Sequence, residues 1–135
     1  MLIKGVIMIA GFTGTRVGMN AQQCVELKQL LIFHEVTELH HGMCIGADFQ
    51  AGFIARKLNI RIVGHPPINE SKLMRTYCDE IKTPDEYLER NHNIVDATEM
   101  LFAGPSQPEY LRSGTWATVR YARKTYKPVI ILERG

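Results

Sequence analysis

The sequence predicts an α/β fold, a three-layer sandwich with a mostly parallel five-stranded sheet and helices on both faces. Three observations carry that expectation. Short apolar runs rich in β-branched residues alternate with segments of helical period. The connections between them suit a parallel sheet with right-handed crossovers. Glycine-bearing turns follow the apolar runs, as at Gly11 and Gly42. The 135 residues, 45% hydrophobic and 22% charged, fit one globular domain spanning 1–135. A chain of this length buries roughly 68% of its unfolded surface, which argues against disorder, a fibre or a disulfide scaffold.

The first strand is expected over Lys4–Ala10 (KGVIMIA), an apolar run of the kind buried on both sheet faces. Asn20 then caps a helix that runs to about His34. Gln23 completes a capping box there, and Cys24, Leu27, Leu30 and Leu31 recur at helical spacing. Glu38–His41 (ELHH) is the second strand. The second helix presents Ala51, Ile54, Ala55 and Leu58 on one face, and Ile60–Val63 is the third strand. Gly64–Thr83, with Pro66 and Pro67 adjacent and no sustained period, reads as a long excursion that carries function or closes over a site. Thr83 and Pro84 are expected to start the next helix, with Glu86 answering the Thr83 cap. Glu99–Ala103 is the fourth strand, Thr115–Tyr126 the last helix and Val129–Leu132 the final strand.

Composition narrows the function classes. Sixteen Lys and Arg against fourteen Asp and Glu leave a net charge of +2, too small for a global pull toward nucleic acid or an anionic membrane. The apolar start contains Lys4 and lacks a small-residue cleavage site, so it reads as a strand and not a signal peptide. No apolar run approaches the ~18 residues of a membrane span. Three widely spaced cysteines, Cys24, Cys44 and Cys78, with no CxxC pair, suit reduced thiols in a cytoplasm.

Three strand-to-helix loops are expected at one edge of the sheet, the carboxyl edge where such folds bind ligands. They are Gly11–Gly18, Gly42–Asp48 and Arg112–Thr115, with Thr118 one turn further on. Unpaired N–H groups at helix starts favour phosphate. The first loop is neither GxGxxG nor GxxxxGK[ST], which disfavours an ordinary dinucleotide dehydrogenase or a P-loop NTPase.

Four segments in order, GFTGTR, HHGMCIGAD, YLERNHNIVDATEMLFAGP and SGTWATVRYARKTYKPVIIL, resemble the SLOG superfamily of Rossmann-like proteins. That group includes the DNA-processing protein A family and the "lonely guy" phosphoribohydrolases. The resemblance spans most of the chain and covers the GHPPINESK excursion least. It implies a pocket for a nucleotide or nucleotide-derived ligand. The expected ligand residues are Gly11, Thr13, Gly14 and Arg16 of the first loop, Gly46 and Asp48 of the second, Arg90 and Asn91, and Ser113, Gly114, Thr115 and Thr118. A planar guanidinium at Arg90 suits bidentate grip of a phosphate, with pairing to Glu86 or Glu89 as the structural alternative. Asp48 suits either ribose hydroxyls or a helix cap, and the cap is its commoner role.

The resemblance departs at one position. The phosphoribohydrolases carry PGGxGTxxE, whose Glu acts in glycosidic cleavage, and Thr118 stands at that place. A hydroxyl neutral at pH 7 neither stabilises an oxocarbenium-like charge nor serves as a strong base. Binding is therefore weighted above an N-glycosidase, which would need Asp48, Asp96 or Glu109 as a substitute. No cofactor is expected. His40, His41 and Cys44 lack a fourth partner for a metal, and His41 reads as a structural histidine. Trp116 suits stacking on a base or packing at the sheet edge equally. Arg120, Arg123, Lys124 and Lys127 share a face of the last helix, so single-stranded DNA binding stays as a weaker alternative. By resemblance, self-association into a homodimer or other homo-oligomer is expected.

Overall fold

The computed structural model describes residues 7–134. Its strands are β1 (Ile9–Gly14), β2 (Glu38–His41), β3 (Arg61–Gly64), β4 (Glu80–Ile81), β5 (Met100–Gly104) and β6 (Val129–Ile131). Its helices are α1 (Ala21–Phe33), α2 (Ala47–Lys57), α3 (Tyr87–Asp96) and α4 (Gly114–Lys124), with a single 3₁₀ turn at Glu70–Lys72. All strand pairs are parallel, in the order β4-β3-β2-β1-β5-β6. The α/β three-layer sandwich expected from the sequence is present.

Strand periodicity divides the interior into two cores. Ala10 and Phe12 of β1 and Phe102 of β5 pack with Leu27 and Leu31 of α1 and Ala47, Ala51 and Ala55 of α2. The alternate residues Leu101 and Ala103 turn the other way, toward Val95 of α3 and Trp116, Val119 and Ala122 of α4. Each sheet face is thus closed by one helix pair, as a parallel sheet requires. Asn20 caps α1 through a capping box with Gln23. Gln23 is fully buried and also donates to the carbonyls of Pro105 and Leu132, tying α1 to the loop after β5.

Three expectations are corrected. The sheet has six strands and not five, because the excursion after β3 adds β4 at the edge, with Val63 opposite Glu80 and Gly64 opposite Ile81. A two-residue strand flanked by Glu80 and Lys82 has no apolar run to betray it, and charge suits an exposed edge. The first strand begins at Ile9 and runs to Gly14, so Gly11 and Gly14, read as loop, belong to it; residues 4–6 of the expected strand lie outside the described residues. Gly14 is required there because a Cβ would meet Ala47 at the start of α2. Finally, α3 starts at Tyr87 and not at Pro84. Asp85 is held in a bridge to Pro67, its N–H donating to Pro66 O and its carbonyl accepting from Ile68, which keeps the backbone extended up to Glu86.

Candidate functional site

The strand order turns at β1, with β2 on one side and β5 on the other, so the loops after β1 and β5 diverge around a crevice. A cavity of about 490 Å³ occupies it, within the usual range for small-ligand sites. The loop after β1 supplies Gly14, Thr15, Arg16 and Val17, and the segment before α4 supplies Arg112, Ser113, Gly114 and Thr115. Ser113 caps α4, its hydroxyl accepting from Trp116 N–H at 3.2 Å. The N–H groups of Gly114 and Thr115 therefore project from the first turn without a partner inside the helix. Thr15 Oγ1 is a buried polar atom with no partner.

Three cations line this cavity, Arg16, Lys72 and Arg112, and no carboxylate does. Among the described residues none of the three forms an ion pair. Tyr87 and Tyr110, about half exposed, add aromatic surface to the walls.

The second glycine loop has a different task. Gly46 sits at φ 86°, and a Cβ there would strike the carbonyls of Arg16 and Thr15. The N–H of Ala47, first residue of α2, donates to Thr15 O at 3.0 Å. The start of α2 is consequently spent on bracing the first loop from behind. Asp48 is buried and accepts from the N–H groups of Gly42 (3.2 Å) and Cys44 (3.3 Å). It shapes its own loop and does not cap α2. Burial pushes its carboxyl up to about 6, with the Arg90 charge and the two N–H donors pulling the other way.

Arg90 is 2% exposed. Its Nε donates to Asn91 Oδ1 (2.9 Å), and its Nη1 donates to the carbonyls of Gly42 and His65. Its Nη2 lies 3.5 Å from Cys44 Sγ, and the guanidinium stacks on Tyr87, 4.6 Å from the ring centroid. Arg90, Asn91, Thr13 and Asp48 line only a narrow crevice beneath the cavity, with room for about 20 Å³.

No protein-family model and no curated protein matches the chain. Solved structures do. The molybdenum cofactor binding protein of the phototrophic bacterium Rippkaea orientalis superimposes with a TM-score of 0.72 at 22% identity, over 95% of this chain and 77% of that one. The Moco carrier protein of Chlamydomonas reinhardtii gives 0.67 at 26% identity, over 95% and 77%. DNA processing protein A of Streptococcus pneumoniae gives 0.69 at 13% identity, over 93% of this chain and 50% of that one. All three are of the SLOG type. The chain has the SLOG fold.

Within the SLOG fold of this chain, the twelve expected residues fall into three groups. Gly14, Arg16, Ser113, Gly114 and Thr115 line the cavity, and Thr13, Asp48, Arg90 and Asn91 lie under it. Gly11, Gly46 and Thr118 line neither. Gly11 lies mid-strand against Ile94 and Thr98, and Gly46 braces the first loop. Thr118 is buried, its hydroxyl donating to Gly114 O at 2.8 Å. Of the three carboxylates considered as substitutes for a catalytic Glu, Asp48 lies in the crevice under the cavity and the other two stand apart. Asp96 bonds Tyr121, Glu109 pairs with Arg120, and neither faces the cavity. Trp116 packs in the α3/α4 core with its indole N–H on Gln107 O. The basic face of α4 is partly spent, Arg120 on Glu109 and Lys127 on Thr98 O.

Ten lining residues fall outside the expected set, among them Asn69, Lys72, Tyr87, Tyr110 and Arg112. Asn69 caps the 3₁₀ turn that holds Lys72, and Ile45 N–H donates to Lys72 O, which brings this part of the excursion to the cavity wall. Its proline-rich composition was the available signal. Among the described residues no helix is long and apolar enough to cross a membrane, and no cluster of three metal-capable side chains occurs.

Proposed function

We propose that this protein binds a phosphorylated small molecule, a nucleotide or nucleotide-like heterocycle, in the cavity between the β1 and β5 loops. One observation carries the reading: a 490 Å³ cavity at the strand-order switch is lined by three cations and no carboxylate, against the first turn of α4. The N–H groups of Gly114 and Thr115, with Arg16, Arg112 and Lys72, receive the phosphate, because helix-start amides and guanidinium groups both favour anions. Tyr87 and Tyr110 offer faces for a planar ring. The cavity wall itself holds no carboxylate, and Asp48 in the crevice beneath is engaged by the N–H groups of Gly42 and Cys44, which favours holding the ligand over hydrolysing it.

The molybdenum cofactor is the second reading, favoured by two structural neighbours whose names carry it and which match 95% of the chain. The cavity's cations would hold that ligand's phosphate in the same place. Binding measured by titration calorimetry with AMP, ADP-ribose, cyclic nucleotides and the molybdenum cofactor tests both. Saturable binding of a phosphorylated ligand, and none of adenosine, is expected. Equal binding of adenosine and AMP, or no binding across the panel, refutes the reading.

Self-association and a reducing, cytoplasmic setting belong to the same proposal. Val25 on α1 and Phe49 and Phe53 on α2 leave exposed apolar surface suited to a second copy. The three cysteines are free thiols. Light scattering should find more than a monomer, reduced toward monomer by Phe53→Lys.

A further inference from the structure

A second hollow, of about 480 Å³, lies between the chain that follows β4 and the end of α3. His65, Lys82, Thr83, Asp85, Asn93 and Asp96 contribute to its wall. Behind it runs a chain of buried hydrogen bonds. Glu38 Oε2 lies 2.7 Å from His40 Nε2, and His40 Nδ1 lies 2.8 Å from His65 Nε2. Both histidines are 4% exposed.

The direction of that chain is fixed by its first member. Glu38, which also pairs with Arg61 at 3.1 Å, is a carboxylate and can only accept. His40 therefore carries a proton on Nε2, and because burial lowers its pKa the ring is neutral and presents a lone pair at Nδ1. His65 in turn must donate from Nε2, which leaves a lone pair on its own Nδ1. That atom bonds nothing among the described residues and is not one of the buried unpartnered atoms, which are Thr15 Oγ1 and His41 Nε2. It thus keeps access to solvent, on a residue that forms part of the hollow's wall. Burial, and then the neighbouring His40, push the imidazole of His65 down to about 3, so the lone pair persists at neutral pH.

The rest of the wall is also rich in acceptors. Asp85 receives Glu86 N–H at 2.8 Å on Oδ1 and Asn93 Nδ2 at 3.0 Å on Oδ2, and each oxygen keeps a further lone pair. Asp96 receives the Tyr121 hydroxyl on Oδ1 at 2.7 Å and keeps Oδ2 free. Of the donors, Lys82 Nζ sits 2.6 Å from Glu80 and Asn93 Nδ2 is bonded to Asp85, which leaves the Thr83 hydroxyl and the remaining N–H groups of these two against the larger set of acceptors. Two carboxylates and a tautomer-locked imidazole repel phosphate and complement N–H groups on a cation.

We propose that the hollow beside His65 is a second ligand site that takes a small organic amine, with His65 Nδ1, Asp85 and Asp96 receiving its N–H groups. Glu38 and His40 are positioning residues, since they touch the ligand only through His65. The site is separate from the phosphate cavity, with which it shares no lining residue.

The test is nitrogen NMR of the histidine side chains in the full chain, titrated with putrescine, with 1,4-butanediol as a neutral analogue of the same length, and with inorganic phosphate. In the free protein His65 should show the Nε2–H tautomer. Putrescine should move its Nδ1 signal saturably while butanediol and phosphate do not. Asp96→Asn, which keeps an acceptor for Tyr121, should weaken putrescine about fivefold by removing one charge. Glu38→Gln, which can donate to His40, should mix the His65 tautomers and weaken putrescine while AMP binding stays as in the unsubstituted chain. An Nδ1–H tautomer in the free protein overturns the proposal, as does phosphate moving His65 in place of putrescine. So does the lack of any saturable shift up to about 10 mM putrescine, tenfold above a Kd of about 1 mM.

Discussion

Arg90 and the pair Arg16 and Arg112 are the same residue type beside the same crevice, and they differ in what surrounds them. Arg90 is buried, with Nε and Nη1 bonded to protein acceptors and its plane stacked on Tyr87. Arg16 and Arg112 are exposed, make no ion pair among the described residues, and border the larger cavity. A guanidinium whose donors are satisfied internally holds loops together. One whose donors are free is available to a ligand. Arg90 fastens the loop after β2 (Gly42 O) and the chain after β3 (His65 O) to α3, and so fixes the floor over which the outer arginines work.

Removing Arg90 gives the largest effect. Arg90→Ala leaves the carbonyls of Gly42 and His65 without that donor and Asp48 without its neighbouring positive charge. Breaking a buried charged network of this kind costs about 3–5 kcal/mol, measurable as a lowered urea midpoint. Arg90→Lys retains the charge and loses the fork, so it should fall between the two. A loss below about 1 kcal/mol for Arg90→Ala would mean that the buried bonds carry little, and that Arg90 and the outer arginines are not so different after all.

The pH dependence of stability sharpens the contrast at the buried end. Asp48, raised to about 6, makes the folded state bind its proton more tightly than the unfolded chain does. Its contribution is greatest below about 4 and is lost as the pH rises through 6. His41 and His65, pushed down to about 4 and about 3 by burial, act in the opposite sense. The unfolded chain protonates them near 6.5, so stability falls as the pH drops below that value. The histidines outweigh the single carboxyl, and stability should rise from pH 4 to 6.5. Asp48→Asn removes the opposing contribution and should steepen that rise by about 2 kcal/mol, read from urea denaturation at each pH. An unchanged slope would show that Asp48 titrates near its ordinary value.

At the exposed end the effect moves from stability to binding. Arg112→Ala and Arg16→Ala should each change folding by no more than about 0.5 kcal/mol. Each should weaken AMP by about tenfold or more, the loss of one charge-assisted hydrogen bond. Calorimetry on both variants checks this. A variant that binds as before would remove that arginine from the site.

How far the sequence reveals these differences depends on range. Asn20, Gln23 and the spacing of Leu27 and Leu31 are local signals, and α1 forms where they place it. The glycines of GFTG and GMCIG mark the right edge of the sheet, but their environments come from elsewhere in the chain. Gly14 makes room for Ala47, and Gly46 for the carbonyls of the first loop. Sequence chemistry cannot separate a bracing loop from a ligand loop, because both need a backbone without a Cβ. Nor can it separate Arg90 from Arg112, since the acceptors of Arg90 lie 48 and 25 residues away, at Gly42 and His65. Lys72 escaped notice for the same reason, as contacts across the fold bring its segment to the cavity.

Thr118 provides the smallest and most discriminating test of that distinction. The resemblance to PGGxGTxxE aligns it with that pattern's glutamate, and a ligand role would give it a hydroxyl directed at the cavity. The hydroxyl instead donates back to Gly114 O at 2.8 Å, in the first turn of α4, and the side chain is 1% exposed. Thr118→Val keeps the shape and removes that one bond. The carbonyl it leaves still accepts through the helix backbone, so the loss should be below about 1 kcal/mol. AMP should bind to Thr118→Val within twofold of the unsubstituted chain. A tenfold loss of affinity with stability intact would place the hydroxyl on the ligand and extend the site one turn deeper into α4.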